Sequence, residues 1–444
     1  MNKFEHTTIG DMTHDSNKKL GYYLFNNQIY YNKFHVLLEA SKSGQITARP
    51  DQRDQSIDSQ VKWFFNDDVF MKFPWHVEPE TSMQELYRMR AQQLRDQYDY
   101  IRVEASGGSD SSTMIYSFLL NNIHLDEVVF RYPKTGEKGV SNTAQFTQAE
   151  NILSEYEFAA RPMLNWIATN YPKVKITMHD YSEDMLAHAN TADESWIFKT
   201  RHYLQPDYAH KHSLTNLTEH RRLADSGTKI GVIHGVDKPK ICIKDGKFFL
   251  YFFDNLANQN NPDIGDYTNI TSEYFFWTPD MPEILAKQAH MCRHWFSMPA
   301  HYQFQRTLHW PNIDFAARNL YEQLVKAIVY PDYDPNTFQV VKPSNNIFNE
   351  QGTWFHVNFK NTKAYNVWEA AINHLVTNLH ESYIKTDLHG RKSNVQEFMS
   401  PFYYIGDSNI PETGVIKNKE FISNSRLPAS QKHVHLIENK MVIY

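Results

Sequence analysis

Tyr98-Asp99-Tyr100-Ile101-Arg102-Val103-Glu104-Ala105, followed by Ser106-Gly107-Gly108-Ser109-Asp110-Ser111-Ser112 and then Thr113-Met114-Ile115-Tyr116-Ser117-Phe118-Leu119-Leu120, is the stretch that decides how this chain folds. The first part reads as a strand, the second as a tight loop and the third as a helix. Two adjacent glycines let the backbone turn so that several N–H groups face one point, and the helix N-terminus adds partial positive charge there. Serine hydroxyls add neutral donors, and Asp110 is placed to hold a magnesium ion against phosphate oxygens. A strand, loop and helix of this composition predict an anion site for a phosphorylated ligand.

Outward from this stretch the pattern alternates. Strands are predicted at 100–105, 127–132, 174–178 and 230–234, and helices at 111–121, 143–170 (interrupted near Pro162) and 215–226. Such alternation predicts an α/β fold, a parallel sheet with helices on both faces. The fourth strand runs into Gly235-Val236-Asp237-Lys238-Pro239, so this loop and the Gly-Gly loop are expected to share the crevice at the carboxyl ends of the strands. Asp245-Gly246, between Lys240–Lys244 and Lys247–Phe253, predicts a hairpin.

Three regions follow. Residues 1–95 form a small α+β region, with a hairpin at 21–31, a helix from Lys33 to Ala40 and a helix started by the capping pair Ser82 and Glu85. Residues 96–280 form the loop-bearing domain, including the hairpin 240–253. Residues 281–444 read as mainly helical, with helices from Glu283, from Asn312 to Ala327 and from Ala364 to Lys385, and strand-like segments at Gly352–Val357 and 433–444.

Composition narrows the class. The 444 residues are 41% hydrophobic and 22% charged, values of a folded globular chain. With 45 basic and 51 acidic residues the net charge is −6, which does not point to RNA or DNA as a general partner. The aromatic share of 14% is read as core and interface. Two cysteines, Cys242 and Cys292, exclude a disulfide framework and a Cys-rich zinc site. The polar start Met1–His6 lacks an apolar signal region, and no run approaches the roughly 20 apolar residues of a membrane span, so a cytoplasmic protein without a membrane partner is expected.

Ser106-Gly107-Gly108-Ser109-Asp110-Ser111 resembles the Ser-Gly-Gly-x-Asp-Ser loop of the PP-loop ATP pyrophosphatases, a superfamily that includes asparagine, NAD and GMP synthetases, argininosuccinate synthetase and tRNA-thiolating enzymes. The resemblance covers about residues 96–240. It implies the adenine nucleotide alpha hydrolase-like (HUP) form of the α/β fold, with ATP and Mg2+ bound. It also implies a reaction in which a carbonyl or carboxyl oxygen attacks the α-phosphorus, pyrophosphate leaves, and a nucleophile then displaces AMP. Carried over, Ser106, Gly107, Gly108, Ser109, Ser111 and the adjoining Ser112 would cradle pyrophosphate, and Asp110 would contact magnesium. Phe130, Arg131 and Tyr132 would lie beside adenine. Asp237 would be a second magnesium ligand, and Lys238 would neutralise the leaving pyrophosphate. The layout is nearest to the asparagine synthetase-like domain. That family's glutamine-hydrolysing form needs a cysteine where this chain has Asn2, so ammonia, an amine or a separate donor would supply nitrogen, and a small-molecule acceptor is expected. Thiolation through Cys242 and Cys292 is the alternative enzyme reading. A degenerate nucleotide-binding interaction module is the alternative outside catalysis.

Other clusters carry less. His290 and His294 share a helix face as zinc ligands can, but Cys292 lies off that face and no carboxylate partner is evident in the sequence. The polar insertion of about 183–215, with Trp196, Lys199, Arg201, His202, Tyr203 and the pair His210 and His212, reads as a surface loop. Lys134–Gly139 reads as a loop or a lid near the nucleotide. Ser400–Asp407 reads as a stretch of pocket wall.

Overall fold

The computed structural model describes residues 18–43, 61–132, 156–180, 182–191, 218–254, 269–310, 325–333, 362–379, 384–386, 392–395 and 397–409. Asn2, the loop 134–139, residues 143–155 of the long predicted helix, residues 192–215 of the polar insertion, residues 312–324 and the strand-like segments 352–357 and 433–444 lie outside the described residues.

The N-terminal region contains the hairpin β1 (Tyr22–Phe25) and β2 (Gln28–Tyr30), helix α1 (Lys33–Ser43), strand β3 (Lys62–Phe64), the single turn α2 (Asp67–Phe70) and helix α3 (Met83–Gln97). Strand β3 adds antiparallel to β1, making a three-stranded sheet. Ser82 caps α3 as its spacing to Glu85 predicts, its hydroxyl accepting from the Glu85 N–H at 3.3 Å.

At the centre lies a five-stranded parallel sheet. Its members are β4 (Tyr100–Ala105), β5 (Glu127–Tyr132), β6 (Lys175–Asp180), β7 (Ile230–His234) and β10 (Ile270–Tyr274), in the order β10-β7-β4-β5-β6. Helix α4 (Ser109–Leu119) links β4 to β5, and helix α5 (Arg161–Asn170) precedes β6. The fifth strand, β10, is not foreseen by the alternation of the sequence. Ile-Thr-Ser-Glu-Tyr carries a glutamate that would be costly inside a sheet, but Arg90 of α3 meets Glu273 at 2.8 Å and makes its burial affordable.

Two clusters cover the two faces. Ile101, Val103, Val128, Phe130 and Ile233 join the main core with Leu94, Met114, Ile115 and Phe118. Ile230, Val232 and Ile270 pack on the other face against Leu223 and Ala224 of the helix Thr218–Asp225. This is an α/β fold with a Rossmann-like core. Pro162 sits in the first turn of α5, where its missing N–H costs nothing, and a π-helical turn, Tyr156–Ala160, runs into it.

The Asp245-Gly246 hairpin forms as β8 (Lys240–Lys244) and β9 (Lys247–Tyr251). Beyond 280 the described part is helical from Glu283 to Ser297 and from Lys363 to Asn378, with a strand pair β11 (Ile384–Thr386) and β12 (Lys392–Val395). The helix expected to reach Lys385 ends at Asn378, where Leu379 turns to extended backbone with ψ 153°; the Asn378 side chain donates to the His374 carbonyl at 2.7 Å. Ser400–Asp407 is not a loose wall: β13 (Tyr403–Asp407) pairs antiparallel with β9 and completes a second three-stranded sheet. No helix among the described residues is long and apolar enough to cross a membrane.

Candidate functional site

Strand order fixes where the site lies. From β4 the chain moves to β5 on one side, whereas β7 lies against β4 on the other, so a crevice opens between the carboxyl ends of β4 and β7. Both predicted loops leave from these ends.

Gly107 has φ +73°, a left-handed conformation, and a Cβ there would stand 2.5 Å from the Ala160 nitrogen of the π-helical turn. The loop is therefore pressed against the start of α5. Gly108 caps α4, and the first N–H groups of the helix have no partner inside it. Ser111 stitches the turn: its hydroxyl donates to the Gly108 carbonyl at 3.0 Å and accepts from the Ser106 N–H at 3.2 Å. Ser106 Oγ accepts from the Gly108 N–H at 3.3 Å. Ser109 is fully buried and its hydroxyl has no partner among the described residues. Ser112 is turned inward, its hydroxyl 3.5 Å from the Met163 sulfur of α5.

Gly235 brings the second loop close. A Cβ at that position would lie 3.1 Å from the Asp110 carbonyl carbon and the Ser111 nitrogen, so β7 passes directly beside the first turn of α4. The loop then turns Lys238 onto Asp110, Nζ to Oδ1 at 2.8 Å. Lys238 also meets Asp237 Oδ1 at 2.9 Å, and Lys240 holds Asp237 Oδ2 at 2.8 Å. Burial by itself would raise the Asp237 carboxyl, but Lys238 and Lys240 override it and keep that group well below the usual carboxylate range. Both Asp237 oxygens are thus engaged by ammonium groups, and the carboxylate holds the two lysines beside the crevice. Asp110 accepts through Oδ1 alone, from Lys238 and from the Tyr330 hydroxyl, and no described residue engages its Oδ2. Tyr330 is nearly fully buried, and its phenol is pushed well above its ordinary value by burial and by the Asp110 charge.

Asp110, Asp237 and Lys238 are therefore brought together with Ser106–Ser111. Phe130, Arg131 and Tyr132 end β5, one strand away. The ring of Tyr132 stacks on Tyr156 at 5.1 Å, and Phe130 lies 5.7 Å from the same Tyr156 ring. Arg131 faces the opposite side of the sheet and pairs with Glu104 at 3.1 Å.

That opposite face carries a buried charge network that no single strand's pattern reveals. Arg102 and Arg131 converge on Glu104, overriding the effect of burial and holding its carboxyl well below the usual range. Glu127 accepts from Thr177, from the Tyr100 hydroxyl at 3.1 Å and from His220 Nε2 at 2.6 Å. Against the opposing effect of burial, these donors bring it down to about 2. His234 ends β7 beside Glu104, its Nε2 buried without a partner among the described residues, and burial lowers it to about 4.

The folded state thus disfavours the His234 imidazolium that the unfolded chain accepts below about pH 6.5. Stability from this group is complete above pH 6.5 and declines as the pH falls toward 4. By pH 5, above the carboxylate range, the loss should reach about 2 kcal/mol. Denaturant unfolding of the wild type and of His234→Gln between pH 7 and 5 checks this: only the wild type should show the extra slope.

The remaining candidates resolve structurally. Cys242 and Cys292 are both fully buried, and burial pushes both thiols far up, which does not suit persulfide transfer. Glu78 supplies the carboxylate that the sequence left unseen beside His290 and His294, with ligand atoms within 4.8 Å of one another. Glu78 already pairs with Lys287 at 2.8 Å and with His294 at 2.7 Å, however. His290 donates its Nε2–H to the Trp75 carbonyl at 2.9 Å and accepts from Arg293 at Nδ1, 3.2 Å away. Two cations and a carbonyl occupy the positions a metal would need, so the cluster joins the Glu78 loop to the helix Glu283–Ser297.

Tyr330 is the site residue that sequence reasoning missed, and its segment carried no signal; for Gly235, read only as part of its loop, the structure adds the close approach to Asp110. No protein-family model matches this chain, and no curated protein matches its sequence.

Proposed function

We propose that this chain is an AMP-forming ligase of the ATP pyrophosphatase type, with the adenine nucleotide alpha hydrolase-like form of the α/β fold. One observation carries most of the weight: Asp110 at the start of the glycine-loop helix and Lys238 from the neighbouring strand's loop meet at 2.8 Å across the crevice between β4 and β7. A carboxylate and an ammonium group at a helix N-terminus form a donor set suited to a magnesium–triphosphate ligand. The residues fit that ligand, because no described residue engages Asp110 Oδ2 and Gly235 puts no side chain between its loop and the first turn of α4.

Magnesium would spread the phosphate charge and orient the pyrophosphate as leaving group. The loop backbone from Ser106 to Ser111 would bind the β- and γ-phosphates. Lys238, held by Asp237, would meet the charge that grows on the leaving pyrophosphate. An acceptor carboxyl or carbonyl oxygen would bond to the α-phosphorus as the bond to pyrophosphate breaks. Ammonia or an amine would then form a C–N bond as AMP departs with the electron pair. The acceptor in this reading is a small molecule. The aromatic rings of Phe130, Tyr132 and Tyr156 offer an apolar surface for adenine at the end of β5.

The test uses the full chain with Mg2+, ATP labelled at the α-phosphate in one arm and at the γ-phosphate in another, and a metabolite extract. Extract-dependent formation of AMP and pyrophosphate is expected, with a new amide or amidine identified by mass spectrometry. Formation of ADP and phosphate would overturn the reading. Tight nucleotide binding without turnover across acceptor fractions would instead favour a nucleotide-binding interaction module.

A further inference from the structure

Asp110 is reached from a segment distant in the sequence. Tyr330 follows a helical turn described at residues 325–329, and its hydroxyl donates to Asp110 Oδ1 across a sequence separation of 220 residues. We propose that Tyr330 is a positioning residue for Asp110, fixing the carboxylate so that Oδ2 faces outward to a divalent cation; this rests on the reading of Asp110 as the cation-holding acid.

Three observations build the case. Tyr330 and Lys238 share one oxygen, Oδ1, which leaves the other oxygen without any described partner on a side chain that is 23% exposed. A carboxylate held by two donors at one oxygen cannot rotate freely about its Cβ–Cγ bond, so the direction of the second oxygen is set in advance. The phenol is itself held. Its ring packs against Phe276 at 5.6 Å, and the Val329 carbonyl just before it accepts from the Tyr87 hydroxyl at 2.9 Å. Tyr87 in turn accepts from Gln288 at 2.7 Å. Tyr87 belongs to α3 and Gln288 to the helix Glu283–Ser297, so two helices outside the parallel sheet fix the backbone from which Tyr330 reaches the loop.

Tyr330→Phe keeps the ring and removes only the donor. The probe is Mn2+, titrated by electron paramagnetic resonance into the full chain in the presence of α,β-methylene-ATP, which cannot lose pyrophosphate. Loss of an outer partner of a metal ligand typically weakens affinity about 10-fold to 100-fold, and Tyr330→Phe is expected to fall in that range with an unchanged melting temperature. Tyr87→Phe, which releases the Val329 carbonyl without touching the phenol, is expected to give a smaller shift in the same direction. Asp110→Asn is the reference arm. If it weakens Mn2+ binding while Tyr330→Phe and Tyr87→Phe do not, the positioning role is overturned and the reading of Asp110 stands. If Asp110→Asn leaves Mn2+ binding unchanged, both fall. A Tyr330→Phe protein that melts early while Tyr87→Phe binds Mn2+ as the wild type does also overturns the proposal, since the effect is then one of packing.

Discussion

Asp110→Asn is expected to lower extract-dependent AMP and pyrophosphate formation by about 10²–10³-fold, the usual cost of removing one preorganised charge-stabilising group. Nearly isosteric, the substitution leaves Gly107, Gly108 and the start of α4 in place. What it removes is the charge that would hold the cation in the proposed reaction, and with it half of the Lys238 pairing; Asp237 at 2.9 Å still retains the lysine. The sign reverses without metal. With EDTA present, an uncovered Asp110 repels the triphosphate, so Asp110→Asn should bind metal-free ATP more tightly than the wild type does. Equilibrium binding of ATP with Mg2+ and with EDTA checks both directions. Equal weakening in both conditions would mean that Asp110 shapes the loop and does not hold a cation.

The second large effect lies away from the crevice. Lys33 of α1 and Asp254 are both fully buried and meet at 2.7 Å. Tyr23 donates to the same Asp254 oxygen at 2.7 Å, and the Phe398 N–H donates to the other at 2.9 Å. The Lys33 ammonium also lies over the Phe398 ring, 5.1 Å from its centroid. Burial raises the Asp254 carboxyl more than these partners lower it, so the site has little reserve for an unpaired charge. Lys33→Met should cost about 3–5 kcal/mol, because it leaves a carboxylate buried without its cation. The double variant Lys33→Met with Asp254→Asn should recover much of that loss, since the amide oxygen still accepts from one donor and carries no charge. Urea midpoints for both variants at pH 7 measure the difference. A loss in the single variant as small as that of a surface pair, under about 1 kcal/mol, would show that water reaches Asp254.

The parts of this fold that were legible in the sequence are those dictated by local physics. Two glycines between a β-branched run and an apolar run require a tight turn, and φ +73° at Gly107 is the conformation that only glycine enters freely. Ser82 with Glu85, and Asp245 with Gly246, are local devices whose geometry follows from a few residues. The strands β4, β5 and β7 are nearly continuous buried runs and read as such. What stayed hidden depends on partners far along the chain. Nothing in Ile270–Tyr274 says strand until Arg90 is seen neutralising Glu273. Tyr403–Asp407 takes its strand form from β9, and its Gly406 is needed because its φ of +147° is a conformation that L side chains rarely adopt. The same holds within the crevice. Asp110 and Lys238 were legible because both leave predicted strand ends, whereas Tyr330 reaches the same oxygen from a segment with no distinguishing pattern. Asp237 shows the limit from the other side. Its place in the loop was legible, whereas the pairing of its two oxygens with Lys238 and Lys240 was not.

The Asp254 junction also sets an order of events during synthesis. Tyr23 precedes Asp254 by 231 residues, and Asp254 precedes Phe398 by another 144. At translation rates of roughly 5–20 residues per second, tens of seconds separate the emergence of Lys33 from that of Phe398. Until Asp254 emerges, α1 has no carboxylate with which to bury its ammonium group, and Lys33 stays in water. The burial of Lys33 is therefore completed only after Asp254 is made, although α1 is made early. Ribosome-bound chains arrested before Asp254 should leave Lys33 open to amine-reactive label, and the full chain should protect it.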